Sequence, residues 1–266
     1  MSRGRIIAGA FLIVVAGVSI AAEAFTSHDP EEQFREVASA PPSRAFPLGT
    51  DSLGRDRWSR LLHGSRVSLL CAPAAAATAV LLGTSVGLLT GFTGGLIDEA
   101  ASGITELVFS LPWLFLLLTL RAVLPLNISP ATSLAATFLL LALTGWAAGA
   151  RVVRAAVQRL RASGPVQYAR ACGCPRFRLL RVHILPHVRV AVIAQFWILV
   201  PAFLIAEANL GMLGLGVTEP MPSLGNMLTE LKQYDRIPEA PWILAPAALL
   251  VLIVASLHVV VSEEHP

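Results

Sequence analysis

The residues with the strongest chemical pattern in this sequence are arginines. Between Arg151 and Arg189 stand Arg154, Arg159, Arg161, Arg170, Arg176, Arg178 and Arg181, and no Asp or Glu interrupts them. Such a run suits contact with anionic headgroups. Nucleic-acid binding would need a basic face on a folded domain, whereas here apolar segments bound the run on both sides, so no nucleic acid is expected. Cys172, Cys174, His183 and His187 lie within it, but their spacing fits no usual zinc pattern and no metal site is expected. Cys71 makes the cysteine count odd, which does not describe a disulfide framework. The single lysine, Lys232, follows Leu231 rather than a Gly-rich phosphate loop, so the chain has no nucleotide cradle of its own. His63, His183 and His187 sit in unrelated contexts, and neither a Ser/His/Asp set nor paired carboxylates suggest catalysis. The expectation is a chain that is not an enzyme and binds no cofactor. Glu207, beside Asn209 in otherwise apolar sequence, has two readings: a group facing a bundle interior or a water-filled path, or one solvated at headgroup level.

Composition defines the setting of these residues. Of 266 residues, 55% are hydrophobic and only 14% charged, against roughly 25% charged in ordinary soluble domains. A soluble fold of this length lacks the charge for its surface. Stretches long enough to cross about 30 Å of hydrocarbon run over 6–24, 67–92, 100–124, 132–150, 188–208 and 242–261, which predicts an all-α membrane protein with six transmembrane helices. Pro73, Pro112 and Pro201 fall inside these stretches and are expected to be tolerated there. Gly83 and Gly87 form a small-xxx-small pair suited to close helix contact.

Arg3, Arg5, the apolar core and Ala22-Glu23-Ala24 resemble a secretory signal, but the core is long for one, and a retained span is the favoured reading. Lys/Arg enrichment marks the cytoplasmic side. Placing 151–187 inside puts both termini in the cytoplasm and the 25–66 and 212–241 segments outside. The 25–66 segment is too short and Pro-rich for a domain of its own; it contacts an extracytoplasmic partner or forms an ordered lid. The 212–241 segment is expected to fold back over the same mouth. Asp98 and Glu99 are expected at an inner turn, Glu106 deeper, and Arg121 is expected to snorkel to the interface.

Residues 146–186 read as a knuckle standing out of the membrane. A basic amphipathic helix carrying Arg151, Arg154 and Arg161 runs into Ser163-Gly164-Pro165, a turn signal. A short helical piece follows over 166–172, with Gly173 at a C-cap position and Pro175 after the stop. A second amphipathic stretch shows Phe177, Leu180 and Ile184 at spacings of three and four, then Leu185-Pro186 and the next span. That shape suits docking into a partner's groove.

Tyr168-Ala169-Arg170-Ala171-Cys172-Gly173, followed by His183-Ile184-Leu185-Pro186, resembles the EAA loop of binding-protein-dependent ABC importer permeases. Pro47-Leu48-Gly49-Thr50-Asp51-Ser52-Leu53-Gly54-Arg55-Asp56, Ser59-Arg60 and Gly64-Ser65-Arg66-Val67-Ser68-Leu69 resemble the segment leading into the second span of the dipeptide, oligopeptide and nickel subfamily, C-type subunit. So do Gly94-Gly95 with Asp98, Glu207, Leu213-Gly214-Leu215-Gly216-Val217, and Pro222-Ser223 with Gly225-Asn226-Met227-Leu228. The resemblance runs from about Phe46 to Trp242. Gln167 departs from the acidic residue many members carry, Leu224 replaces a usual Trp, and the chain closes on Ser262-Glu263-Glu264-His265-Pro266 without the usual polar-basic tail.

The resemblance implies a type I ABC importer permease fold in the bacterial cytoplasmic (inner) membrane. An N-terminal helix and extracytoplasmic segment would occupy 1–65, and a transmembrane domain 66–262 would carry a cytoplasmic coupling loop at 151–187. Gln167, Tyr168, Ala169, Arg170, Ala171, Cys172, Gly173, Arg176, Arg178, Leu185 and Pro186 would couple to an ATPase, with Glu207 and Asn209 on the translocation path. The partners implied are a homologous permease subunit, two cytoplasmic ATPase subunits that use the ATP, an extracytoplasmic solute-binding protein and membrane lipid. The substrates implied are peptides, or nickel and related solutes. An ATP-independent secondary transporter and a non-transporting membrane scaffold are the competing readings; the former would favour inverted repeats, and none is evident.

Overall fold

A computed structural model of the chain describes residues 3–125, 128–233 and 237–262. Its regular structure is helical, apart from one isolated bridge between Thr50 and Asp56. In chain order the α-helices are α1 (Arg3–Ile20), α2 (Ala22–Phe25), α3 (Arg57–Thr93), α4 (Gly95–Ser110), α5 (Trp113–Val123), α6 (Pro130–Arg161), α7 (Gly164–Ala171), α8 (Arg176–Arg178), α9 (Leu185–Met212), α10 (Leu224–Met227) and α11 (Ala245–Ser262). A π-helix over Leu179–Ile184 joins α8 to α9. Residues 263–266, which include the divergent C-terminus, lie outside the described residues.

Among the described residues, five helical runs are long and apolar enough to cross a membrane: α1, α3, α6, the continuous run Arg176–Met212, and Pro241–Val261. A sixth span is reached only if α4 and α5 are counted together, and those two are bent by 90°. The third span expected over 100–124 is thus a bent helix pair, broken at Leu111-Pro112. Leu111, at φ −84° and ψ 133°, is extended, as the residue before a proline tends to be, and Pro112 brings no N–H to continue the ladder. Pro73 and Pro201, by contrast, stay inside α3 and α9. Large apolar side chains such as Leu81, Val190 and Val251 are exposed, which costs nothing where the solvent is lipid tails.

The chain forms two compact units. One comprises Met1–Ala72, Arg121–Phe138 and Pro201–Pro266. In it α1 packs along α11, around a core that includes Phe203, Leu204, Leu210 and Ile253. Arg121 does not snorkel as expected: its side chain is fully buried, donating from Nη2 to Ser133 Oγ at 2.9 Å and to the Gly216 carbonyl at 3.2 Å. Those acceptors hold the guanidinium inside the unit.

The other unit comprises Pro73–Leu120 and Leu139–Val200. Its seam is a stripe of glycines on α3 facing α6. A Cβ on Gly83 would lie 2.6 Å from the Trp146 carbonyl oxygen, and one on Gly87 2.6 Å from that of Ala150. Gly91 continues the stripe one turn on, where a Cβ would lie 2.8 Å from Val157 Cβ. The backbones meet so closely that no methyl group fits between them, the contact that Gly83 and Gly87 predict.

Candidate functional site

The knuckle is built around an eight-residue helix, α7. Ser163 is extended, Pro165 occupies the first turn, where its missing N–H costs nothing, and the helix stops at Cys172. Gly173 has φ +78°. Its N–H donates to the Arg170 carbonyl at 3.0 Å, while the Cys174 N–H donates to that of Ala169 at 3.1 Å. These two bonds form a Schellman stop, for which a left-handed residue such as glycine is required. Gln167 Nε2 donates back to the Ala162 carbonyl at 3.2 Å, fastening α7 to the end of α6.

The knuckle is rooted by a small apolar cluster. Val153 and Val157 of α6, with Ile184 and Val188, are buried, and Leu88, Phe92, Leu160 and Leu180 pack around them. The expected stripe of Phe177, Leu180 and Ile184 is only partly realised. Ile184 is wholly buried and Leu180 half-buried, but Phe177 is 72% exposed and Leu179 is buried instead. The wide turns of the π-helix shift the phase, so α-helical spacing misplaces residues on its N-terminal side.

The side chains expected to couple divide between two environments. Tyr168 is 75% exposed, and Ala171, Cys172, Gly173 and Arg178 are exposed with it, as are Leu185 and Pro186; Ala169 is half-buried. Gln167, Arg170 and Arg176, also exposed, line an open cavity of about 670 Å³ beside the ends of α3 and α6. Tyr168 and Phe177 are thus the exposed aromatic groups of the knuckle. Among the described residues, no cluster of His, Cys, Asp and Glu is positioned to hold a metal ion.

In the same unit, Asp98 of α4 accepts from Arg154 Nε at 2.5 Å and Nη2 at 2.8 Å, and from Gln158 Nε2 at 3.2 Å. This bidentate pair ties the helix after the Gly94-Gly95 turn to the arginine-rich end of α6. The sequence places Asp98 at a turn but does not reveal its partner. Arg151, one turn earlier, lies over the Phe109 ring at 5.5 Å.

Glu207 sits in the first unit and is fully buried, so solvation at headgroup level is corrected. It accepts from Ser68 Oγ at 3.1 Å and from the Gly225 N–H at 3.1 and 3.2 Å. Ser68 Oγ in turn accepts from the Leu224 N–H at 3.2 Å. The turn that receives Glu207 is capped reciprocally: Ser223 Oγ accepts from the Asn226 N–H, and Asn226 Oδ1 from the Ser223 N–H. Asn209 is half-buried one helical step away. Glu207 therefore serves as a clamp on the 223–227 turn.

The polar segments before α3 and after α9 meet in a second network. Arg55 pairs with Asp51 at 2.7 Å and Glu219 at 2.5 Å, and Arg60 reaches Glu219 at 2.9 Å. Burial alone would lower the Arg55 pKa, but Glu219 and Asp51 outweigh it and the net shift is upward. Arg57 pairs with Glu230 at 2.8 Å. Arg55, Arg57 and Arg60 thereby tie the segment leading into α3 to Glu219 and Glu230 beyond α9.

Comparison with known proteins agrees with this architecture. Residues 83–262 match the family described as "Binding-protein-dependent transport system inner membrane component". The chain is 30% identical to the dipeptide transport system permease protein DppC of Haemophilus influenzae over 94% of its own length and 84% of that protein. It is 32% identical to the oligopeptide permease OppC of Bacillus subtilis, covering 82% and 70% of the two chains. To the glutathione transport system permease GsiD of Pectobacterium atrosepticum it is 30% identical, over 85% and 73%. A component of a binding-protein-dependent transport system thus replaces the secondary-transporter and scaffold readings. The chain belongs to the family of inner-membrane components of binding-protein-dependent transport systems, in which it is a permease subunit and not an enzyme.

Proposed function

We propose that this permease subunit carries peptides across the cytoplasmic membrane by alternating access, driven through α7 by separate ATPase subunits. It works beside a homologous permease subunit, two cytoplasmic ATPases and an extracytoplasmic solute-binding protein. The knuckle at 151–187 and both termini face the cytoplasm; the Arg55–Glu219 network faces outward. Relatives named for dipeptide, oligopeptide and glutathione transport support a peptide substrate.

One observation carries the coupling reading: a capped eight-residue helix holds Tyr168 in solvent while its base is locked into α6. Apolar side chains exposed on a polar protrusion suit a partner's cleft. ATP binding displaces the partner, and the knuckle passes that displacement to α6 and α9. ATP biases one of two packings only through contacts that differ between them. Gln167, Arg170 and Arg176 support the base of the knuckle, and Ala169, Ala171, Cys172, Gly173, Arg178, Leu185 and Pro186 complete its surface and exit.

The test uses a cysteine at Ser163 in intact cells and inverted vesicles, together with Tyr168→Ala in the assembled transporter. Labelling of Ser163→Cys from the cytoplasmic side, and loss of peptide-stimulated ATPase activity with Tyr168→Ala, are expected. Labelling from outside, or full stimulation of the alanine variant, refutes the reading.

A further inference from the structure

We infer that the cavity beneath α7 is a binding site for a phosphate-bearing anion, supplied by an anionic lipid headgroup. It encloses about 670 Å³ and is lined by Arg161, Arg170 and Arg176, with Phe92, Val166 and Leu179 as apolar wall. No carboxylate lines it. Among the described residues, none of the three guanidiniums forms an ion pair or a side-chain hydrogen bond. Asp98, the acid on the adjacent α4, is already held by Arg154 and Gln158.

The surrounding backbone brings these charges together. Gly94, at φ +72°, ends α3, and a Cβ there would lie 3.3 Å from Arg161 Nη1. The turn thus leaves the guanidinium room at the cavity edge. The Gln167 bond to Ala162 holds α7 over the opening, with Val166 buried beneath. Three like charges around one cavity repel, and an anion with several acceptor oxygens relieves that repulsion through charge-assisted hydrogen bonds.

Position selects the source of the anion. Phe92 and Thr93 are the last two residues of α3 and Arg161 is the last of α6, both membrane-spanning by length and apolarity. The apolar stretch 67–92 ends at Phe92, so the site lies beside the point where that span leaves its apolar run, and its apolar wall suits the glycerol end of a lipid. An acidic side chain of the ATPase is the competing occupant. It is less favoured because the cavity opens beside the ends of α3 and α6, whereas the knuckle's exposed aromatic groups, Tyr168 and Phe177, do not line it.

The experiment uses the complete transporter, purified with its partner subunits and stripped of loosely held lipid. Native mass spectrometry reads binding of phosphatidylglycerol and phosphatidylcholine, and a separate arm titrates inorganic phosphate alone. Phosphatidylglycerol should be retained over phosphatidylcholine, and Arg161→Gln should weaken that retention roughly fivefold, the value of one arginine near a charged surface. Arg161→Lys should keep most of it, and 1 M salt should erase the preference. Saturable phosphate binding lost in Arg161→Gln, with no lipid preference, supports the phosphate site and makes its source soluble. Unchanged lipid retention in Arg161→Gln/Arg176→Gln together with no phosphate binding overturns the inference. So does loss of ATPase co-purification in that variant with lipid retention intact, which assigns the arginines to the ATPase. Thermal stability and subunit stoichiometry are measured on each variant, and Arg176→Gln alone replaces any that misfolds. Lipid retention requires neither ATP nor peptide, so failure here and failure of the coupling reading are distinguishable.

Discussion

Asp98 and Arg154, 56 residues apart, face each other with two parallel hydrogen bonds, so that α4 is pinned to α6 in the first turns of the knuckle. Arg154 is one-third exposed, and solvent screens part of the attraction. Asp98→Asn is expected to cost about 1–2 kcal/mol, less than a fully buried charged pair would. A thermal unfolding midpoint in detergent lowered by a few degrees checks this. The double variant Asp98→Ala/Arg154→Ala should lose less than the sum of the single alanine variants.

The glycine stripe gives a sterically defined comparison. Gly87→Ala puts a methyl group 2.6 Å from the Ala150 carbonyl and 2.8 Å from Val153 Cβ, and such overpacking costs about 1–3 kcal/mol. Gly149→Ala, also in a helix but with nothing within 4 Å of the new carbon, should gain about 0.5–1 kcal/mol from helix propensity. Equal midpoints for the two variants would remove the seam from the account.

At Gly173 the constraint is conformational, because a Cβ there meets nothing within 4 Å. Gly173→Val should strain the Schellman stop by about 1–3 kcal/mol and lower peptide uptake while the protein still reaches the membrane. Gly173→Asn, which tolerates a left-handed backbone better, should restore most uptake. A loss that followed side-chain volume and not φ would point to a buried contact instead.

Removing the Glu207 carboxylate leaves the Gly225 N–H and Ser68 hydroxyl without their acceptor. Each buried group left unsatisfied costs about 1–3 kcal/mol. Glu207→Ala should therefore loosen the 223–227 turn, read as faster protease cleavage within 212–241. Glu207→Gln keeps an acceptor oxygen and should be milder. Uptake lost in Glu207→Gln without any change in cleavage would instead favour a role in the translocation path.

Much of this was legible before any coordinates, but unevenly. Gly173 and the Gly83–Gly87 spacing announce their roles because each is settled within one or two turns of backbone. The Asp98–Arg154 pair and the burial of Arg121 are not readable in the same way, since both depend on which elements pack together. An averaged apolar stretch runs straight through Pro112, so the 90° break between α4 and α5 stays hidden although its cause is a single residue. Phe177 escapes a period of 3.6 because the turns that follow it, from Leu179 to Ile184, are wider.

Those wide turns carry a structural arithmetic of their own. From Leu179 to Ile184 the ladder skips one position per turn, and six residues wound at this looser pitch subtend about 100° less than an α-helix of equal count. The chain thus stores a single surplus residue between the protrusion and the bilayer. Deleting one residue there would let the stretch rewind tightly while the protrusion keeps its heading, whereas a deletion on either side would swing it away from whatever grips it.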